Sequence, residues 1–128
     1  MVKVMSEKKK ILLIEDDKTL CQIYRLNFEM EGFDLEEAHN GKVGLAYALN
    51  HRPDIIILDL MLPGVNGLEI LKVIKEKETT RHIPVLILTN LSGDEMEEAK
   101  KLGAQNCFLK TTVTPKELTD EVKRILAV

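Results

Sequence analysis

The sequence has no tryptophan and two cysteines, Cys21 and Cys107, among its 128 residues. The cysteines lack the short, repeated spacing of a metal-binding motif, and their neighbours indicate a helix and a strand. Disulfide frameworks are typical of small secreted domains that cannot build a sufficient apolar core. The sequence therefore argues against both a disulfide and a zinc site.

Long apolar segments are also lacking. No run approaches the roughly 20 residues that span a bilayer, and residues 1–10 contain no apolar block of signal-peptide length. We therefore expect a cytoplasmic protein without a membrane partner. The length suits one domain, predicted over 9–128 after a flexible tail at 1–8, and leaves no room for a second, output domain.

Positive charge is not in excess. The formal net charge is −3 and the sequence pI is about 5.7. Because nucleic-acid affinity comes chiefly from clustered lysine and arginine side chains, this charge argues against a nucleic-acid partner.

The sequence does contain four short apolar runs, each of which leads into a polar residue. The runs cover residues 11–14, 55–58, 85–88 and 108–109, and the polar residues after them are Glu15 with Asp16, Asp59, Thr89 and Lys110. Apolar runs without alternation indicate strands buried on both faces, as in a parallel sheet covered by helices. The carboxyl ends of such strands converge on one crevice, so these polar groups are expected to meet there.

Segments of helical length separate the runs. Three helices are predicted over 18–31, 42–50 and 68–77, and Asp17 is the expected N-cap of the first. Two more are predicted to begin at the Ser-x-x-Glu spacing of Ser92 and Glu95 and at Thr114-Pro115. A turn is predicted at 62–64. A further strand over 33–38 is diluted by Glu36 and Glu37 and is therefore expected at a sheet edge. The alternation predicts an α/β fold, a doubly wound five-stranded parallel sheet of order 2-1-3-4-5 with five helices.

The expected crevice has the chemistry of a magnesium-dependent phosphoryl site. Glu15, Asp16 and Asp59 offer the oxygen ligands that Mg²⁺ or Mn²⁺ prefers, and a cation would relieve their repulsion. Asp59 stands alone after the most apolar run and is the candidate nucleophile. Lys110 and Thr89 are placed to contact phosphate oxygens.

These pieces together resemble a response regulator receiver domain along about residues 9–126. The matching segments are Ile14-Glu15-Asp16-Asp17, residues 58–64 with Asn66-Gly67, Leu88-Thr89 and Leu109-Lys110. The resemblance implies a flavodoxin-like fold of the stand-alone two-component type, with Asp59 as phosphoacceptor and the Met61 backbone carbonyl as a further metal ligand. It also implies a histidine kinase or phosphotransfer protein as donor. A downstream protein would bind the surface of the fourth helix, fifth strand and fifth helix.

Several residues depart from the family pattern. Thr111 follows Lys110 where many receiver domains have a cis proline, so a trans bond or a reshaped loop is expected there. Cys107 occupies the position of the switch aromatic, and Asn90 is bulkier than the usual residue. Met61 and Leu91 would border the attacking water without orienting it, which predicts slow loss of phosphate.

Other functions remain open from the sequence. A small phosphatase with an aspartyl-phosphate intermediate would need an acid where Met61 stands. A nucleotide carrier is disfavoured because residues 15–17 are acidic, and a pseudo-receiver that is never phosphorylated would not need the full set of site residues. His39, His51 and His82 share no motif and are expected at the surface.

Overall fold

The computed structural model describes residues 8–90 and 93–128. Within these residues, the strands are β1 (Lys10–Ile14), β2 (Asp34–Ala38), β3 (Ile55–Leu58), β4 (Met61–Leu62), β5 (Val65–Asn66), β6 (Val85–Thr89) and β7 (Asn106–Leu109). The helices are α1 (Lys18–Met30), α2 (Gly41–His51), α3 (Gly67–Glu76), α4 (Asp94–Lys101) and α5 (Pro115–Leu126). Predicted helix boundaries differ from these by a residue or so, apart from α4, whose predicted cap is only partly described.

Five of the strands form one parallel sheet in the order β2-β1-β3-β6-β7. Numbered among themselves, these strands have the predicted order 2-1-3-4-5, and the dilute strand β2 lies at the edge as expected. Ile14 pairs with Ala38 on one side and with Leu58 on the other, and Thr89 pairs with Leu109. The register therefore brings the carboxyl ends of neighbouring strands to the same edge.

The central strands are buried on both faces because helices cover the sheet on both sides. Leu12 and Ile14 pack with apolar residues of α2, α3 and α4, whereas Ile11 and Leu13 pack with those of α1 and α5. All four side chains are 1% exposed or less. Alternate residues of one run thus supply two separate layers of core, which explains the absence of polar alternation in the sequence.

Helix ends follow several of the signals in the sequence. The Asp17 side chain accepts a hydrogen bond from Leu20 N at 3.1 Å and caps α1. Thr114 and Glu117 form a reciprocal capping box at the start of α5, with Pro115 in the first turn. Asp17 as N-cap and the Thr114-Pro115 helix start are therefore confirmed. The Ser92 cap lies outside the described residues. Gly93 is the N-cap of α4, and it has no side-chain acceptor for the first backbone N–H groups of the helix.

The turn at 62–64 is part of a hairpin that the sequence did not predict. β4 and β5 pair antiparallel around Pro63 and Gly64, with two residues in each strand. The hairpin returns the chain to Gly67, where a Cβ would lie 2.5 Å from the Leu60 Cα, so glycine is required for this close approach. Strands this short have no sequence periodicity.

Residues 1–7 of the predicted tail lie outside the described residues. Lys8, the remaining residue of the tail, is exposed. Among the helices described, none combines the length and apolar character needed to cross a membrane.

Candidate functional site

The expected polar groups do meet at the carboxyl edge of the sheet. Glu15 and Asp16 follow β1, Asp59 follows β3, Thr89 ends β6 and Lys110 follows β7. Backbone hydrogen bonds hold these positions, since Asp59 N donates to Ile14 O at 3.0 Å and Lys110 N donates to Thr89 O at 2.9 Å. The site is therefore built on rigid strand ends.

Three carboxylates form the acidic centre of the site. One oxygen from each of Glu15, Asp16 and Asp59 lies within 4.8 Å of the others. Glu15 and Asp59 are 0% and 2% exposed, whereas Asp16 is exposed. Packing three acidic groups this closely with little water around two of them creates repulsion that a cation would relieve.

The Lys110 ammonium supplies part of that relief. Its Nζ lies 2.6 Å from Glu15 Oε1 and 2.7 Å from Asp59 Oδ2. Burial acts to lower the pKa of Lys110, but its hydrogen bond with Asp59 and its close contact with Glu15 together outweigh burial and raise it. The Lys110-Thr111 bond is trans, as the sequence led us to expect, and the ammonium still reaches the carboxylates.

Glu15 is the less satisfied of the two buried acids. Its Oε2 accepts a hydrogen bond from Asp17 N at 3.0 Å, whereas Oε1, despite its short contact with Lys110, has no hydrogen bond of acceptable geometry among the described residues. Burial raises the pKa of Glu15, and its contacts with Lys110 and Asp17 only partly oppose this shift. A buried oxygen with spare acceptor capacity beside two further carboxylates fits a hard divalent cation such as Mg²⁺.

Asp59 is oriented from two sides. Its Oδ1 accepts a hydrogen bond from Met61 N at 3.0 Å, and its Oδ2 accepts one from Lys110 Nζ at 2.7 Å. The Met61 side chain is 56% exposed. Thr89 is fully buried at the neighbouring strand end, and Asn90 after it is exposed.

A family model for the response regulator receiver domain matches residues 11–123. The chain belongs to this family. The resemblance noted in the sequence is therefore confirmed, and receiver domains are signalling domains rather than classical enzymes.

Relatives and solved structures agree with this assignment. The receiver domain is 30% identical to the polar-differentiation response regulator DivK of Brucella anthropi over 118 residues, 92% of this chain and 96% of DivK. It is 38% identical to the response regulator ArlR of Staphylococcus saprophyticus over 92% of its own length, but it spans only about half, 51%, of ArlR. The structure of the chemotaxis response regulator CheY4 of Vibrio cholerae matches with a TM-score of 0.85 at 27% identity, covering 93% of this chain and 99% of CheY4.

Cys107 lies between the sheet and α4 in this receiver domain. Its side chain packs with the core layer that contains Ala99 of α4, while Phe108 packs with the opposite layer, as strand alternation predicts. The Cys107 thiol contacts Met96 O at a Sγ to O distance of 3.8 Å, and burial raises the pKa of the thiol. The position expected from the family pattern to hold the switch aromatic thus carries a small, half-buried thiol against α4. Leu91 lies outside the described residues.

Sequence reasoning missed a second polar cluster, close to the first. Cys21 of α1, Glu37 of β2 and His39 each bring one potential ligand atom within 4.8 Å of the others. The three residues come from a helix, an edge strand and the loop after it, so no spacing in the sequence marks them. The one available signal was the pair of acidic residues in an otherwise half-apolar strand.

Proposed function

We propose that this receiver domain accepts a phosphoryl group on Asp59 in a reaction that requires Mg²⁺ or Mn²⁺. The observation that carries the proposal is the joint placement of a buried Asp59, an acidic pair and an ammonium at one edge of the sheet. Phosphoryl transfer depends on positioning and on neutralisation of charge more than on covalent help, and these groups supply both.

Glu15, Asp16, Asp59 and the Met61 carbonyl are the residues proposed to hold the metal. When bound, the cation would neutralise charge on the phosphoryl oxygens and on the carboxylates. An Asp59 oxygen attacks phosphorus and forms the new O–P bond. The P–N bond to the donor histidine breaks at the same time, and the electron pair of that bond stays with the imidazole. Lys110 is already hydrogen-bonded to Asp59 and can pair with a phosphoryl oxygen, and the Thr89 hydroxyl can donate to another.

A histidine kinase or phosphotransfer protein is the proposed donor. A downstream protein is proposed to bind the surface of α4, β7 and α5, where Cys107 joins the sheet to Met96. The added phosphoryl charge of about −1.5 to −2 would act first on the loop after Thr89 and then on α4. The cytoplasmic location stays a prediction from the sequence.

Phosphorylation by a small molecule tests the proposal without knowing the kinase. The protein is incubated with Mg²⁺ and acetyl phosphate, and intact mass is measured for wild type, Asp59→Asn and the control Asp34→Asn, whose site is exposed on the edge strand. We expect one stable phosphoryl adduct on wild type and on the control, and none on Asp59→Asn. An unmodified wild type would favour a pseudo-receiver, and rapid catalytic turnover of acetyl phosphate would favour a phosphatase.

A further inference from the structure

The second polar cluster lies at the carboxyl end of the edge strand. It consists of Cys21, Glu37 and His39, each with one ligand atom within 4.8 Å of the other two. Cys21 is 0% exposed, and the side chains of Glu37 and His39 are 15% and 38% exposed. The cluster is therefore closed on the helix side and open to solvent through the imidazole.

The donor set differs in kind from the acidic centre. Thiolate, imidazole and carboxylate are the ligands of Zn²⁺, whereas the three carboxylates of the first site suit Mg²⁺. Zinc bonds of about 2.0 to 2.3 Å in a tetrahedral site place ligand atoms about 3.5 Å apart. Because these ligand atoms lie within 4.8 Å of one another, no pair has to approach by more than about 1.3 Å to reach that spacing.

Glu37 is already oriented for such a role. Its Oε2 accepts a hydrogen bond from Arg25 Nε at 2.6 Å, and its Oε1 lies 2.7 Å from His39 Nε2. Arg25 would remain as the outer partner that fixes the carboxylate, as is usual for metal-bound carboxylates. A cation bound between Glu37 Oε1 and His39 Nε2 would take the place of the proton that these two atoms share.

The charge around the thiol also favours a cation. Glu37 lies beside the Cys21 thiol, Glu15 and Asp17 add further negative charge, and the Arg25 guanidinium is the opposing positive charge. The thiol donates to Glu15 O at 3.5 Å. These carboxylates would attract a divalent cation, which would have to displace the proton of the thiol.

We propose that Cys21, Glu37 and His39 bind one Zn²⁺ ion, with water in the fourth position. Binding releases the Cys21 proton to solvent and requires neutral His39. The ion would join the first part of α1 to the end of β2, one backbone hydrogen bond away from Glu15, whose N donates to Ala38 O. None of the three proposed ligands takes part in the proposed phosphorylation of Asp59.

Cobalt substitution gives a direct readout. Chelator-treated protein is titrated with Co²⁺ in excess Mg²⁺, which occupies oxygen-ligand sites, and the thiolate-to-metal charge-transfer absorption is recorded. We expect the band to saturate at one equivalent and to be displaced by Zn²⁺. Cys21→Ser should abolish the band, whereas Cys107→Ser, at the other cysteine, should keep it. No band on wild type, or a band that depends on Cys107, would overturn the proposal.

The histidine provides a second test that does not disturb the core. Zn²⁺ affinity is measured by competition with a chromophoric chelator for wild type, His39→Ala and the control His82→Ala, which is exposed elsewhere on the molecule. We expect His39→Ala to weaken binding by at least about tenfold and His82→Ala to leave it unchanged. Equal affinities for the two variants would contradict the site even if Cys21→Ser failed to fold.

Discussion

Lys110 is the residue on which the metal-free site depends. Its ammonium faces two buried carboxylates, Glu15 and Asp59, at 2.6 and 2.7 Å. We expect Lys110→Met to lower the free energy of unfolding without metal by about 1 to 3 kcal/mol, because it leaves both acids without their cation. Urea unfolding in chelator measures the loss, and Mg²⁺ should restore part of it.

The matched control for this change is Lys116→Met. Lys116 is paired with Asp120, but both side chains are exposed, at 83% and 58%. An exposed pair of this kind contributes little, so the control should unfold at the same urea concentration as wild type. Equal losses for the two variants would mean that the Lys110 contacts do not stabilise the site.

Met61 is expected to set the lifetime of the proposed phosphoaspartate. Its side chain is exposed and, being apolar, cannot orient an attacking water by hydrogen bonding. Met61→Asn should shorten the lifetime roughly threefold to tenfold, or up to about 1.4 kcal/mol of barrier. The decay of the adduct is followed by intact mass, with Met30→Asn, an exposed methionine on α1, as the control. An unchanged decay rate would assign the lifetime to another residue.

Glu37 is expected to make part of the stability depend on pH. Burial alone would raise the pKa of Glu37, but hydrogen bonds from His39 and Arg25 outweigh it, so the folded-state pKa lies below 4.5. Its contribution is therefore present above about pH 4.5 and is lost as the pH falls through the folded-state value. We expect Glu37→Gln to cost about 1 kcal/mol at neutral pH and progressively less in acid.

Unfolding by urea at about pH 7 and about pH 3.5 checks this dependence, with chelator present to keep metal out of the cluster. Glu36→Gln, at an exposed neighbouring position, is the control and should show the same pH dependence as wild type. A cost of Glu37→Gln that is constant across the pH range would show that the ion pairs do not contribute.

At the scale of elements, the sequence predicted the structures whose signals are continuous and local. The runs at 55–58 and 85–88 are strands buried on both faces, and the cap residues Asp17 and Thr114 start helices where expected. The hairpin of β4 and β5 escaped because two-residue strands have no period, and the packing of Gly67 on Leu60 is a contact across a loop. Local patterns thus determine the elements, whereas close approaches depend on tertiary structure.

Helix α4 is expected to open more readily than its neighbours. Ala99 is its one buried residue among the described residues, whereas α3 buries Ile70, Leu71 and Ile74. The difference in buried apolar surface suggests an opening free energy lower by about 2 kcal/mol or more. The backbone amide hydrogens of α4 should therefore exchange with solvent well before those of α3. Equal protection of the two helices would argue against α4 as the element that responds to phosphorylation.

At the scale of the molecule, one topological rule explains why the first site was predictable and the second was not. Parallel strands end at one edge, so Glu15, Asp59 and Lys110 could be brought together from sequence alone. The contact of Cys21 with Glu37 and His39 depends on how α1 crosses an edge strand, which no rule of strand order specifies. The direction of the Lys110 side chain, before a trans peptide bond to Thr111, likewise depends on the tertiary structure.

The whole molecule should be stabilised by Mg²⁺ in a way that increases with pH. The raised pKa of Glu15 means that its contribution to stability is full below about pH 4.5 and is lost as the pH rises through the folded-state value, because the ionised acid is poorly solvated. The proposed Mg²⁺ would bind that ionised form, so protons would compete with the metal. At a concentration tenfold above its Kd, the ion adds about 1.4 kcal/mol.

Thermal unfolding with and without Mg²⁺ at about pH 5 and about pH 7.5 tests this linkage. We expect the larger increase in Tm at the higher pH for wild type and for Asp34→Asn, whose carboxylate lies outside the site, because fewer protons then occupy the acidic centre. Asp59→Asn should show a smaller increase at both values, since it removes a proposed ligand. If the magnesium effect were the same at both pH values, the stabilising ion would have to bind without Glu15, and Asp16 with Asp59 would be the ligands that remain.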